Sequence, residues 1–227
     1  MTVRRPATRD DMAALALEVA PRLLDAVLEV TVEGETVAVR LTEVEAYHGR
    51  GTGDVPDPGS HARMGLTPRN ATMWGEPGHL YVYLSHGIHS CVNVVCGPEG
   101  VAGGVLLRGG EIVEGVGAAR RRRPAARADR DLARGPGRLG DAVGLRHPVH
   151  DGIDVITGES WHGAVARLLL PVEPVAEPAT GPRVGVAGHA GTAAFPWRFW
   201  IPGDPTVSAF RWGRGAGPAP AGPAPAV

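Results

Sequence analysis

The sequence contains no lysine: all 23 of its basic residues are arginine. That excludes a lysine Schiff base, and it excludes a phosphate-binding loop ending in Gly-Lys-Ser/Thr. Cysteine is almost as scarce. Cys91 and Cys96 are the only two, too few for a disulfide framework or a zinc site. Their offset puts them on opposite faces of a continuous strand, and free thiols are expected. No apolar run reaches the roughly 18 residues needed to span a bilayer. Asp10 and Asp11 precede any apolar stretch, so the first residues do not read as a signal peptide, and a cytoplasmic protein is expected. Aromatics make up 5% of the residues, with three tyrosines, all in two short stretches. Tyr47 lies in "EVEAYHG"; Tyr81 and Tyr83 lie in "LYVYLSHG".

The 227 residues fit one large domain or two small ones. With 43% hydrophobic and 21% charged residues the chain is globular, and its net charge of −1 by itself argues for no particular partner. Residues 8 to 20 have the pattern of an amphipathic helix with Thr8 as N-cap, Asp10 and Asp11 in the first turn, and Pro21 as its interruption. "DAVLEVTVEGETVAVRLTEVEAY" alternates with period two on both sides of "EGE", which predicts a hairpin turning at Gly34. "RGTGDVPDPGSHARMGLTPRN" is a long loop. Strands follow at "LYVYLS", "SCVNVV" and "GGVLLRGG", a short helix at "LGDAVGL", and late strands at "ARLLLPV", "RVGVAG" and "WRFWIPG". From residue 214 to 227 the composition is Pro/Ala/Gly-rich, which predicts a disordered tail after one domain over 1–213. There is no internal repeat and no βαβ alternation, so the fold class is mixed α/β.

Four features carry candidate chemistry. Glu43, Glu45 and Tyr47 share one face of a strand. They form either a solvated edge or a general base beside an aromatic plate. Tyr81 and Tyr83 also share a face, as core filler or as a flat surface. His61 lies in a loop, where solvation alone would account for it. Eight arginines fall between Arg120 and Arg138, against Asp129 and Asp131. They are a charged surface, and in a lysine-free chain they also suit phosphate oxygens.

Six stretches, in order, resemble the alkyladenine (3-methyladenine) DNA glycosylase family: "EVEAYHG", "SHARMGLTPRNATMW", "PGHLYVYLSHGIHSCVNVV", "GVLLRGGEIVEG", "ARGPGRLGDAVGL" and "RVGVAGHAG" with "WRFWIPGDPTVS". The resemblance implies a single mixed α/β domain with a curved antiparallel β-sheet flanked by helices. It implies an enzyme that flips a damaged purine (3-methyladenine, 7-methylguanine or hypoxanthine type) out of duplex DNA and hydrolyses its N-glycosidic bond. It also implies the roles. Glu45 matches the general base that activates water. Arg108 and the backbone at Val184 match groups that hold that water. Tyr47 and Tyr83 match the pair that sandwiches the base. His61 matches a donor to it, and Asn93 a residue that crowds the guanine amine. His86 stands where the family often has a tyrosine that wedges into the vacated gap. Arg69 and Arg120, Arg121, Arg122 and Arg123 are the candidate phosphate contacts.

Damaged double-stranded DNA and water are then the partners, with no cofactor, no metal, no membrane and a monomeric chain. Without lysine, base release without strand cleavage is expected, leaving an abasic site; the N-terminal amine is the one remaining candidate for a Schiff base. Two other readings stay open on the sequence: a non-catalytic binder of distorted DNA, and a hydrolase of free nucleosides. The arginine cluster counts against the latter, because a nucleoside brings no phosphates.

Overall fold

The computed structural model describes residues 2–49 and 56–218. Among these residues ten strands form one sheet: β1 (Arg4–Pro6), β2 (Val27–Val32), β3 (Glu35–His48), β4 (Leu80–Ser85), β5 (His89–Val95), β6 (Gly103–Glu114), β7 (Ala133–Arg134), β8 (Ala164–Pro171), β9 (Ala179–Gly181) and β10 (Arg198–Trp200). The main order is β1-β8-β2-β3-β6-β5-β4, with β10 beside β3, β9 beside β10, and β7 beside β6. Every pairing is antiparallel. Among the described residues four α-helices accompany the sheet: α1 (Arg9–Met12), α2 (Ala16–Arg22), α3 (Val116–Arg122) and α4 (Pro136–Val143). The result is a single mixed α/β domain on an open, curled antiparallel sheet. Among the described residues no helix is long and apolar enough to cross a membrane.

The sequence of β3 dictates what the sheet does at its centre. Its main-core residues fall on odd positions as far as Leu41 (Val37, Val39, Leu41) and on even positions from Val44 (Val44, Ala46). A regular strand cannot keep both sets on one face, because side chains alternate with period two. The chain resolves this by register shifts against β6 between Leu41 and Glu43 and between Glu43 and Val44. A bulge of this kind re-aims the side chains that follow it. Glu43, Glu45 and Tyr47 are thereby turned away from the core. Gly110 permits the close approach at the shift: a Cβ there would lie 2.4 Å from the Arg40 carbonyl oxygen.

β3 is not an edge. Glu35–Arg40 pair with β2, the other side runs along β6, and Glu43–Glu45 pair with β10. The solvated-edge reading of Glu43 and Glu45 is therefore corrected, and both side chains are fully buried.

Other expectations from pattern meet mixed outcomes. The β2–β3 hairpin turns at Glu33–Gly34, both at positive φ, the pattern of a type I′ turn. The helix expected over 8–20 is two helices. Thr8 caps α1 in a capping box with Asp11, and the chain breaks at Ala13–Leu15. Pro21 does not end α2 but sits in its last turn, where burial of Ala16, Val19 and Ala20 holds the helix to the core. "RVGVAG" is not a strand. Gly185 has φ +71°, and the Val184 and Gly185 N–H groups bond to Glu45 and to the Arg211 carbonyl instead of to a ladder. Cys91 and Cys96 are free and buried. Of the expected tail, residues 214–218 are described, and the Arg214 carbonyl accepts a hydrogen bond from Gly188 N. Residues 219–227 lie outside the described residues, as do residues 50–55 of the long loop.

Candidate active site

At the turned-over end of β3, two carboxylates meet two guanidiniums. Glu43 accepts from Arg108 Nε at 3.1 Å, Arg198 Nε at 2.7 Å, Ser208 N at 2.7 Å and Ser208 Oγ at 3.0 Å. Glu45 accepts from Val184 N at 2.6 Å through Oε1, and through Oε2 from the Tyr47 hydroxyl at 2.8 Å and Arg108 Nη1 at 3.4 Å. Arg108 and Arg198 are themselves buried. Burial alone would make Arg108 easier to deprotonate, but Glu45 and Glu43 outweigh it and raise its pKa. Such a cluster is tolerable in a low-dielectric interior only because each charge is paired and hydrogen-bonded. Gly109 leaves room for it, since a Cβ there would lie 3.3 Å from Glu43 Oε2 and 3.0 Å from the Thr206 carbonyl.

In front of this cluster lies a cleft of about 1410 Å³. That exceeds the roughly 300–1,000 Å³ of an ordinary small-ligand pocket, so the cleft has space for more than one flat ring. Tyr47, Tyr83, His61, Asn93, His86, Arg108 and Val184 all line it. Seven of the residues singled out in the sequence thus converge on one cavity. Glu45 is one layer deeper, enclosed behind Tyr47, Arg108 and Val184.

The aromatic walls are built from two sides. Tyr47 is backed by Arg183, whose guanidinium carbon lies 4.4 Å from the Tyr47 ring centroid and 5.0 Å from that of Trp197. Arg183 is fully buried. Its Nη1 and Nη2 donate to the two Asp57 oxygens at 2.8 and 2.7 Å, and to the carbonyls of Ala46 and Ala190. Burial, and then Glu45, push the Tyr47 hydroxyl well above the usual phenol pKa, so it stays a donor.

Also on the cleft, Tyr83 stacks on Tyr81, with centroids 5.5 Å apart and planes at 24°. His61 meets Tyr83 edge-on at 4.6 Å. The Tyr81 hydroxyl lies 3.3 Å from His61 Nδ1, and burial pushes that hydroxyl up to about 12. His61 has its pKa lowered, by burial of its ring and then by Arg69 and Arg63. A neutral ring keeps one N–H donor and one acceptor nitrogen. Asn93 is buried and donates from Nδ2 to the Tyr81 carbonyl at 3.0 Å, which fixes its amide.

His86 stands at the tip of the β4–β5 hairpin. Ile88 N donates to the Ser85 carbonyl, and His86 and Gly87 both have positive φ. The tip is exposed, with Ile88 at 73%.

The expected phosphate contacts separate. Arg123 lines the cleft. Arg120 pairs with Asp129, Arg121 pairs with Glu35, and Arg122 donates to the Ala142 carbonyl, none of them on the cleft wall. Arg69 donates to the Leu84 carbonyl just outside it. The cleft arginines are instead Arg63, Arg108, Arg123, Arg134, Arg138, Arg211 and Arg214.

Sequence reasoning missed Asp57, Arg183, Arg198 and Ser208. Nothing in the local pattern marks them, because their partners lie far away in the chain. For Glu43 and Glu45 a signal existed, the change of apolar phase along β3.

The sequence model of the family described as methylpurine-DNA glycosylase matches residues 10–205. The chain belongs to that family. Its relatives include proteins provisionally named 3-methyladenine DNA glycosylase. One from Leifsonia xyli subsp. xyli is 52% identical over 216 residues, 93% of this chain and 95% of that protein. One from Streptomyces avermitilis is 48% identical over 208 residues, 92% and 93% of the two chains. One from Nocardia farcinica is 52% identical over 185 residues, 81% and 84%. As a member of the methylpurine-DNA glycosylase family the chain is a DNA glycosylase, a hydrolase of N-glycosyl bonds.

Proposed function

We propose that this glycosylase excises alkylated or deaminated purines from double-stranded DNA, of the 3-methyladenine, 7-methylguanine and hypoxanthine type. The observation that carries the reading is the joint placement of Tyr47 and Tyr83 on one cleft with Arg108 and Val184, directly in front of a buried carboxylate. A purine turned out of the helix would enter between the tyrosines, with His61 donating to it and Asn93 crowding a guanine amine. Extrusion costs a few kcal/mol, least for a damaged base. Base–aromatic stacking of about 1–3 kcal/mol per base offsets it.

Glu45 then takes a proton from water as the water oxygen bonds to the sugar's anomeric carbon and the purine departs with the bonding pair. An alkylated purine is cationic and leaves readily, so one base and one held water suffice. In the structure the Tyr47 hydroxyl occupies Glu45 Oε2. For water to be activated there, that hydroxyl gives up its place as Tyr47 settles onto the base. The product is an abasic site. With no lysine, no ε-amine can form a Schiff base, and the N-terminal amine is the one group left that could, so base release without strand cleavage is the expected outcome. The chain acts as a monomer, without a cofactor or metal.

The test is release of 3-methyladenine or hypoxanthine from a lesion duplex in single turnover. Glu45→Gln is expected to lose about 10²–10⁴-fold, the range of general base catalysis. Equal rates for both proteins remove Glu45 from that role.

A further inference from the structure

Residues 207–216 follow the end of the family match at residue 205, yet they form part of the cleft wall. Ser208, Ala209, Arg211, Trp212, Gly213 and Arg214 all line it. The segment is tied down along its length. Arg134 Nε donates to the Val207 carbonyl at 2.8 Å. Arg198 Nη2 donates to the Ser208 carbonyl at 3.1 Å, and Ser208 bonds twice to Glu43. Further on, the N–H groups of Gly185 and Gly188 donate to the carbonyls of Arg211 and Arg214, each at 2.9 Å. Gly213 presses against the 185–186 turn: a Cβ there would fall 2.0 Å from the Val186 carbonyl oxygen, so no other residue fits without a shift. The backbone is thus fixed as a strap across one wall of the cleft.

The side chains of Arg211, Trp212 and Arg214 make no hydrogen bond or ion pair among the described residues. Arg211 and Arg214 are exposed, and neither has a carboxylate partner among the described residues. Trp212 meets Phe210 edge-on at 4.8 Å, and the two are 39% and 37% exposed. Among the described residues, the neighbouring lining residues Arg63 and Arg138 donate only to backbone carbonyls. Among the described residues no aspartate or glutamate is on the cleft wall. Two unpaired guanidiniums and a flat indole on a preformed backbone, facing a wall of one charge sign, match a polyanion with flat groups.

We propose that the strap is a duplex-binding element of this enzyme. Arg211 and Arg214 contact phosphates beside the extruded nucleotide, and Trp212 lies against the adjoining sugar and base. The ordering cost is already met in the free protein, so these contacts add directly to affinity. This rests on the reading that damaged duplex DNA occupies the cleft.

The experiment uses the full chain, a duplex oligonucleotide containing hypoxanthine and its undamaged counterpart. Affinity is measured between 50 and 200 mM salt, and single-turnover base release at saturating enzyme. Each phosphate contact contributes about 0.9 to the slope of log K against log salt. Arg211→Gln with Arg214→Gln should lower that slope by about 1.8, so the unmutated protein loses about 12-fold more affinity across the range than the variant does. Trp212→Ala should weaken binding about 5-fold or more. Single-turnover release at saturation should stay within about threefold. Arg120→Gln with Arg121→Gln, outside the cleft, should leave the slope unchanged.

An unchanged slope in the strap variant, or an equal drop in the Arg120/Arg121 variant, overturns the proposal. If the unmutated protein releases no base but the strap variant still loses slope, the excision reading falls and the strap assignment stands. If base is released and the slope does not move, the reverse holds.

Discussion

At the scale of single residues, the centre turns on what Glu45 Oε2 accepts. In the free protein it is the Tyr47 hydroxyl, 2.8 Å away. Tyr47 thus has two separable parts: a ring that would stack and a hydroxyl that competes with water. Tyr47→Phe keeps the ring and frees the oxygen; Tyr47→Ala loses the ring. Base release by the Phe variant should stay within about tenfold of the unmutated rate. The Ala variant should lose about 5- to 150-fold, matching about 1–3 kcal/mol of stacking. A Phe variant as slow as the Ala variant would show that the hydroxyl matters more than the ring. Arg183 bears on the same wall. Held by Asp57 and backing Tyr47, it links the loop that carries His61 to the strand that carries Glu45.

At the scale of elements, the β3 bulge and the β4–β5 hairpin place the chemistry. The bulge turns two glutamates out of the core side and into a cage of arginines. The hairpin carries Tyr83 on its strand and His86 at its tip. His86 has φ +50°, a left-handed conformation. An L residue there costs about 1–2 kcal/mol relative to glycine, though histidine is among the more tolerant types. His86→Gly should therefore leave the melting temperature unchanged or higher. If the imidazole fills the gap left by the extruded nucleotide, the same variant binds lesion duplex more weakly while undamaged duplex binding holds. Equal affinity for lesion duplex before and after the change would transfer the wedge role to another tip residue. Exposed Ile88 is then the neighbour to vary.

At the scale of the molecule, stability should depend on pH with a definite sign. Burial lowers the pKa of His48 and of His150 below that of a free histidine. The folded protein then binds fewer protons than the unfolded chain as pH drops below about 6.5, so stability falls on acidification through that value. His48 adds a second cost, because neither of its buried ring nitrogens has a hydrogen-bond partner among the described residues. Asp154 and Asp204 act in the same direction lower down. Burial opposes their ionisation, but Arg9 with the Ile156 N–H, and Thr206 with Arg40, outweigh it and lower both pKa values. Their stabilisation is present above the free carboxylate pKa and is lost as pH falls below it. Thermal melts from pH 8 to pH 3 should decline in two stages, the first beginning near pH 6.5 and the second near pH 4. A melting temperature flat between pH 8 and pH 5 would contradict the first stage.

The local pattern along the chain was enough for most strands. Alternation marked β2 and β3, Gly34 marked the turn between them, and the strands expected at "LYVYLS", "SCVNVV", "GGVLLRGG" and "ARLLLPV" are β4, β5, β6 and β8, because side-chain pattern and turn geometry are local properties. The family resemblance, carried by ordered motifs, brought Tyr47, His61, Tyr83, Asn93 and Arg108 into one expected site, and they line one cleft. What the pattern could not decide is which strand is central. Glu43 and Glu45 read as a wet edge until β10, more than 150 residues away, is seen to pair beside them and supply Arg198. "RVGVAG" read as a strand until its N–H groups are seen to serve Glu45 and the strap. The charged cage, the Asp57–Arg183 pair behind Tyr47 and the anchoring of residues 207–216 depend on contacts between distant segments. Composition and periodicity hold no trace of such contacts. The sequence by itself determined that the chemistry is available and how it is spaced along each strand. The tertiary structure alone decided which charges are buried, which are paired, and which arginines remain free to meet a phosphate.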